Sequence, residues 1–193
     1  MRAPLLAAVL ALAPVAAGAG VDARIERVGT ERLLVHEADV AAPAADVWQW
    51  IASAEGWKSW AVPSAWMDFR RGGEVETSYD PTARRGDPAN IRTRILAYVP
   101  GRMIALQSEH APPDFPFKAQ LPGLFSVFEI EANAGGGTQV RLTGVGYGEG
   151  EAFDRMLAFF EAGNRWSLER LVERAEKGPV DWTTVLSQQG ERE

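Results

Sequence analysis

The sequence predicts an α+β fold: a curved antiparallel sheet of seven strands wrapped around one long C-terminal helix, with two short helices after the first strand. Three observations predict it. From Phe153 onward, Met156, Leu157, Phe160, Leu168, Leu171, Val172 and Ala175 fall on one stripe of an α-helix. Before that helix, alternating apolar and polar segments are joined by short turns, which implies an antiparallel meander. Finally, the helical stripe is interrupted at Gly163 and Asn164. A gap followed by an amide in a buried stripe implies that the helix closes over a cavity instead of a solid core.

Each element follows from local chemistry. In residues 32–40, Leu34, His36, Ala38 and Val40 share one face of a strand, and Val35, Glu37 and Asp39 share the other. Pro43 stops that strand and suits the first turn of a helix, where Asp46 meets the favourable end of the dipole. Val47, Trp48, Ile51 and Ala52 form the buried side of this helix. Gly56 breaks it, and a second short helix carries Trp57 and Trp60. Five of the seven tryptophans lie between Trp48 and Trp66. Each ring can bury about 200 Å². They either cement the short helices onto the sheet or, in part, line the mouth of a ligand pocket.

Residues 67–70 and 74–79 flank Gly72-Gly73, a hairpin signal. After a polar loop over 80–90, residues 91–99 and 102–109 pair across Pro100-Gly101. A proline-rich loop spans 110–123, and the last two strands, 124–132 and 138–147, flank a glycine-rich turn. Gly178-Pro179 ends the long helix, and 178–193 form a tail in which Trp182 is the docking candidate.

One domain over 32–177, preceded by a polar leader over 20–31, fits a chain of 193 residues. Its composition, 46% apolar, suffices for a full core. The net charge of −6, with acids and bases interleaved, leaves no basic stripe to meet a phosphate backbone, which argues against nucleic acid as a partner. Residues 1–19 have the marks of an export signal: Arg2, a short apolar stretch from Leu5 to Ala13, and small residues at Ala17-Gly18-Ala19. Cleavage after Ala19 gives a periplasmic or secreted protein with no stable membrane insertion; the alternative is a retained N-terminal anchor. With no cysteine, the chain is neither lipidated through a thiol nor stapled by disulfides.

Five segments carry a family resemblance. They are "DVAAPAADVWQWIASAEGWKSW" (39–60), "FRRGGEVE" (69–76), "RILAYVPGRMIAL" (94–106), "GGTQVRLTGVGYG" (136–148) and "FFEAGNRWSLERL" (159–171). In this order they resemble the SRPBCC or START-like superfamily of helix-grip proteins, close to its heat-shock-ATPase-activator-homologue and polyketide-cyclase-like branch. The resemblance implies a hydrophobic cavity between sheet and terminal helix. It also implies binding of lipids, sterols, polyketides or other apolar molecules, with no shared catalytic triad to carry over.

Signatures of chemistry are sparse. There is no cysteine and no Gly-x-Ser-x-Gly elbow, and only His36 and His110 could act as a base near neutral pH. Two histidines in separate elements do not make a metal site. A dinucleotide fingerprint starting at Gly144 would need glycine where Glu149 stands, and it follows an antiparallel strand, so no cofactor is implied.

Strand alternation and the helical stripe give the candidate ligand-binding residues His36, Ala38, Thr77, Tyr79, Ile95, Phe128, Met156, Phe160 and Asn164. Phe115, Phe117 and Leu121 of the proline-rich loop are candidates for a lid. His36 on an apolar face is either a satisfied core histidine or a donor or proton acceptor on the cavity wall. Asn164 either bonds a strand group or reaches the ligand. Three functions remain open: binding of a small apolar molecule, a cyclase- or hydrolase-like activity using His36 with Glu74 or Glu76, and a protein-interaction module. The last needs a large exposed apolar patch on the sheet's outer face.

Overall fold

The computed structural model describes residues 20–190, so the expected export signal lies outside the described residues. The strands are β1 (Asp22–Val28), β2 (Glu31–Val40), β3 (Ser64–Met67), β4 (Glu74–Ser78), β5 (Ile91–Val99), β6 (Met103–His110), β7 (Phe125–Ala132) and β8 (Thr138–Tyr147). The helices are α1 (Ala44–Ile51), α2 (Ala54–Lys58), α3 (Glu151–Lys177) and α4 (Trp182–Gly190). All eight strands form one antiparallel sheet in the order β1-β2-β8-β7-β6-β5-β4-β3, one strand more than the sequence predicts.

The additional strand is β1, in the segment expected to be a polar leader. Five of its seven residues are exposed. It is an edge strand, so it has little apolar alternation to show. It is held by its ladder to β2, from Asp22↔Glu37 to Val28↔Glu31. Charges on neighbouring strands add to this: Arg24 pairs with Glu37 at 2.8 Å, and Arg141 of β8 pairs with Glu26 at 3.1 Å. β3 also begins earlier than expected, because Asp68 to Gly73 form the turn and dock on β5 through Gly72 N–H to the Ile95 carbonyl at 2.7 Å.

The core divides into two apolar clusters. In the first, Val47, Ile51 and Trp60 from the α1/α2 region meet Ile95, Ile104 and Phe128 of the sheet and Leu168 and Leu171 of α3. The tryptophans cement this region. Trp57 and Trp60 set their rings edge-on to Phe128 at 6.3 and 6.4 Å. Their indole N–H groups donate to the carbonyls of Ile51 and Trp50 at 2.6 and 3.0 Å. The Arg174 guanidinium lies 4.5 Å over the Trp50 ring, tying the last turns of α3 to α1. The second cluster joins Leu34, Tyr147, Met156 and Leu157 to Phe117, Leu121 and Leu124.

Polar ties fix both ends of α3. At its start, buried Arg32 donates to Asp154 at 2.5 Å and to the Gly148 carbonyl at 2.9 Å. Past its end the chain returns over α2: Val180 N–H donates to the Ser59 carbonyl at 2.9 Å, and the Trp182 indole donates to the Lys58 carbonyl at 2.6 Å. The tail is thus a docked helix, α4. The large exposed aliphatic residues Ile25 and Val28 stand on β1, and Leu96 and Val99 on β5, far apart in the sheet order. Among the described residues these four do not form one contiguous patch.

Gly146 ties β8 to the segment before β7. Its φ is +101°, and a Cβ there would lie 2.2 Å from the Gly123 carbonyl oxygen. Gly146→Ala should therefore lower the unfolding free energy by about 1–3 kcal/mol or more, read from urea titration; an unchanged midpoint would show that this approach is not a constraint.

Candidate functional site

A cavity of about 330 Å³ lies between the middle of α3, the loop 111–123 and the strand ends on that side of the sheet. From α3 come Phe159, Phe160, Gly163, Asn164 and Ser167, residues whose spacing places them on one helical face. Gly163 stands at the open side: it is exposed, and a Cβ built on it meets nothing within 4 Å. The loop supplies Ala111, Pro112, Phe115 and Leu121. Ser108 and His110 arrive from β6, Ile91 from the start of β5, and Tyr79 from just past β4.

Aromatic edges hold the loop to the helix. The Phe115 ring lies 5.6 Å from that of Phe159, 6.1 Å from Phe160 and 5.7 Å from Phe117. Such pairs contribute about 0.5–1.5 kcal/mol each beyond area burial. Phe159 is 49% exposed, as suits a residue at the mouth. No Asp, Glu, Lys or Arg lines the cavity. Its polar side chains are Tyr79, Ser108, His110, Asn164 and Ser167, and the Ser167 hydroxyl stands beside the Tyr79 phenol.

Of the residues singled out in the sequence, this cavity gathers Tyr79, Phe160 and Asn164, with Phe115 and Leu121 from the proline-rich loop. His36, Ala38, Thr77, Ile95, Phe128 and Met156 do not line it, and Phe117 is packed in the second cluster. All are buried. For Ala38, Ile95 and Phe128 the reason is the same: alternation correctly turns a strand residue inward, but the α1/α2 tryptophans and the Leu168–Leu171 turn of α3 already fill that space.

His36 is wholly buried, with Nε2 3.1 Å from the Glu161 carbonyl of α3. A carbonyl only accepts, so Nε2 carries the hydrogen, and Nδ1 has no partner among the described residues. Burial lowers the His36 pKa below its ordinary value, the Glu161 carbonyl opposing in part. The carboxylates proposed to join it are elsewhere. Buried Glu76 accepts from Gly86 N–H and Asn90 Nδ2, both at 2.6 Å, and so anchors the 80–90 loop. Four strands separate β2 from β4 in the sheet, so His36 forms no acid–base pair with Glu74 or Glu76.

Sequence reasoning missed Ile91, Ser108, His110, Ala111, Pro112, Phe159 and Ser167 as lining residues. Ser167 had a signal, since it sits one turn beyond Gly163 on the same face. His110 had another, as one of only two histidines. Among the described residues no group of three or more acidic or histidine side chains is placed to hold a metal ion, and no helix is long and apolar enough to cross a membrane.

The family model for polyketide cyclase / dehydrase and lipid transport matches residues 32–176. The chain belongs to this family. Its sheet and long C-terminal helix are the helix-grip arrangement of that superfamily. Similar solved structures include the Aha1 dimer from Colwellia psychrerythraea, with 18% identity, TM-score 0.58, and coverage of 76% of this chain and 97% of that one. CalU16 from Micromonospora echinospora has 17% identity and TM-score 0.58, covering 88% of this chain and 92% of its own. Ms6760 from Mycobacterium smegmatis has 21% identity and TM-score 0.56, covering 79% and 94%. At these identities the likeness is one of fold. No curated protein matches the chain.

Two outcomes follow for this helix-grip domain. Gly163→Ala meets open space and improves helix propensity, so it should raise unfolding free energy by up to about 1 kcal/mol in urea titration, and a loss would show that the gap is packed. The lowered His36 pKa means that the unfolded chain takes up this proton first as pH falls. The stability it carries is whole above the ordinary value of 6.5 and is lost as pH falls from there toward the lowered folded-state value. The urea midpoint should drop between about pH 7 and about pH 5.5, and drop less in His36→Gln.

Proposed function

We propose that this protein is exported and holds a small, mostly apolar, uncharged molecule in the cavity between α3 and the loop 111–123. One observation carries the reading: a space of about 330 Å³ walled by Phe115, Phe159, Phe160, Ile91 and Leu121 with no charged side chain on its lining. That volume is at the lower end of the roughly 300–1,000 Å³ usual for small-molecule sites. Burial of apolar surface, at about 25 cal/mol per Å², drives association. Tyr79, Asn164, Ser167 and His110 orient the ligand's polar end. A family described by polyketide cyclization, dehydration and lipid transport supports an apolar ligand of this kind.

The loop 111–123 serves as the lid, with Phe115 as its contact to α3. Export rests on Arg2, the apolar stretch from Leu5 to Ala13, and the small residues Ala17-Gly18-Ala19. It puts the mature chain in a periplasm or outside the cell. N-terminal sequencing of the exported protein should begin at Gly20; an intact Met1 or Arg2 start would leave a retained anchor in its place.

Naphthalene is a suitable bare probe of the cavity. In an NMR titration it should shift the amides of Phe160, Gly163 and Asn164. Gly163→Leu fills the gap in the lining, so it should weaken naphthalene at least about tenfold, some 1.4 kcal/mol, without lowering the unfolding midpoint. Equal affinity in the two proteins would move the ligand elsewhere and end this assignment.

A further inference from the structure

Resting on the binding function proposed above, we infer that His110 selects for a ligand hydroxyl, and that the molecule held is a neutral hydroxylated ring compound. His110 closes β6 where the lid loop begins. It lines the cavity, and it also lines a wider groove on the far side of the loop beside Glu109, Pro113 and Lys118. Its Nε2 lies 2.8 Å from the Pro88 carbonyl. A carbonyl can only accept, so Nε2 carries the hydrogen. In the neutral ring the lone pair is then on Nδ1. Among the described residues no group donates to that nitrogen, and unlike Nδ1 of His36 it is not sealed from access.

In this proposal that nitrogen turns toward the cavity, where it differs in kind from the other polar groups. The hydroxyls of Tyr79, Ser108 and Ser167 and the amide of Asn164 can each donate or accept, so each adapts to a hydroxyl, a ketone or an ether. Nδ1 of His110 only accepts. A ligand that brings an O–H satisfies it. An ether or bare hydrocarbon held there strips water from it and returns nothing, and a site built this way holds the analogue that lacks the donor more weakly. The rest of the lining sets the ligand's body: the rings of Phe115, Phe159 and Phe160 and the flat face of Pro112 suit a rigid ring system, and the absence of charge on the lining suits a neutral one.

The test compares 2-naphthol, 2-methoxynaphthalene and naphthalene by NMR titration at about pH 8. In the wild-type protein 2-naphthol should bind at least about tenfold more tightly than 2-methoxynaphthalene, and the His110 Nδ1 resonance should move on binding. In His110→Phe the two should bind within about twofold of each other, with naphthalene still bound. Naphthalene binding without a naphthol preference in the wild type overturns the His110 assignment alone, as does a preference that survives in His110→Phe. Failure of all three probes to bind overturns the cavity reading and this one with it. Should His110→Phe not fold, the wild-type preference and the Nδ1 resonance decide: a proton found on free-state Nδ1 refutes the proposal.

Discussion

The structure depends on how one concave sheet face is filled. An antiparallel sheet of this length cannot leave its inner face wet, and a single helix laid across it covers only a strip. At the C-terminal half of α3 the remainder is filled by the α1/α2 wedge, whose tryptophans meet Phe128, Leu168 and Leu171. At the N-terminal half it is filled by Met156, Leu157 and Tyr147 together with the loop residues Phe117, Leu121 and Leu124. Between the two clusters α3 presents an exposed turn at Gly163, where a side chain would meet nothing within 4 Å. Interiors pack densely because unfilled volume forfeits dispersion contacts. The cavity lies where α3 passes from one cluster to the other, along its turn from Phe159 to Asn164.

This division explains what was legible beforehand. The periodicities of strand and helix are local, so the meander, the two short helices and the terminal rod follow from spacing alone. β1 does not, because an edge strand with charges on both faces lacks the alternation that marks a half-buried one; its evidence is the pairing of Arg24 and Glu26 with charges on β2 and β8, visible only once the sheet is assembled. The site shows the same contrast. Phe160 and Asn164 were accessible because an interruption in a stripe is itself a local signal. His36, Ala38, Ile95 and Phe128 face inward as their parity requires, yet parity reports only which side of the sheet a residue faces. Whether that side is solid or hollow is decided by tryptophans distant in sequence.

The loop 111–123 is held at both ends. Its start follows His110, which is fixed to the 80–90 loop through the Pro88 carbonyl. That loop is anchored in turn by buried Glu76, which accepts from Gly86 and Asn90. Its far end passes Gly123, against which Gly146 of β8 closes too tightly for any side chain. Between these points Phe117 and Leu121 are buried in the second cluster with Met156 and Leu157, and Phe115 meets Phe159 and Phe160 at the partly exposed mouth.

The two histidines make the final distinction. Each commits Nε2 to a backbone carbonyl, Glu161 for His36 and Pro88 for His110, and each is thereby left with a lone pair on Nδ1. In His36 that lone pair is sealed beneath α3, where burial keeps the ring neutral and nothing can reach it. In His110 the same arrangement stands at the junction of cavity, groove and lid. The same hydrogen bond to a carbonyl thus leaves a sealed side chain in one place and a half-buried one beside a cavity in the other, and the difference is access alone. The residue type drew attention to both; only the filled space above β2 and the gap beside Gly163 separate their roles.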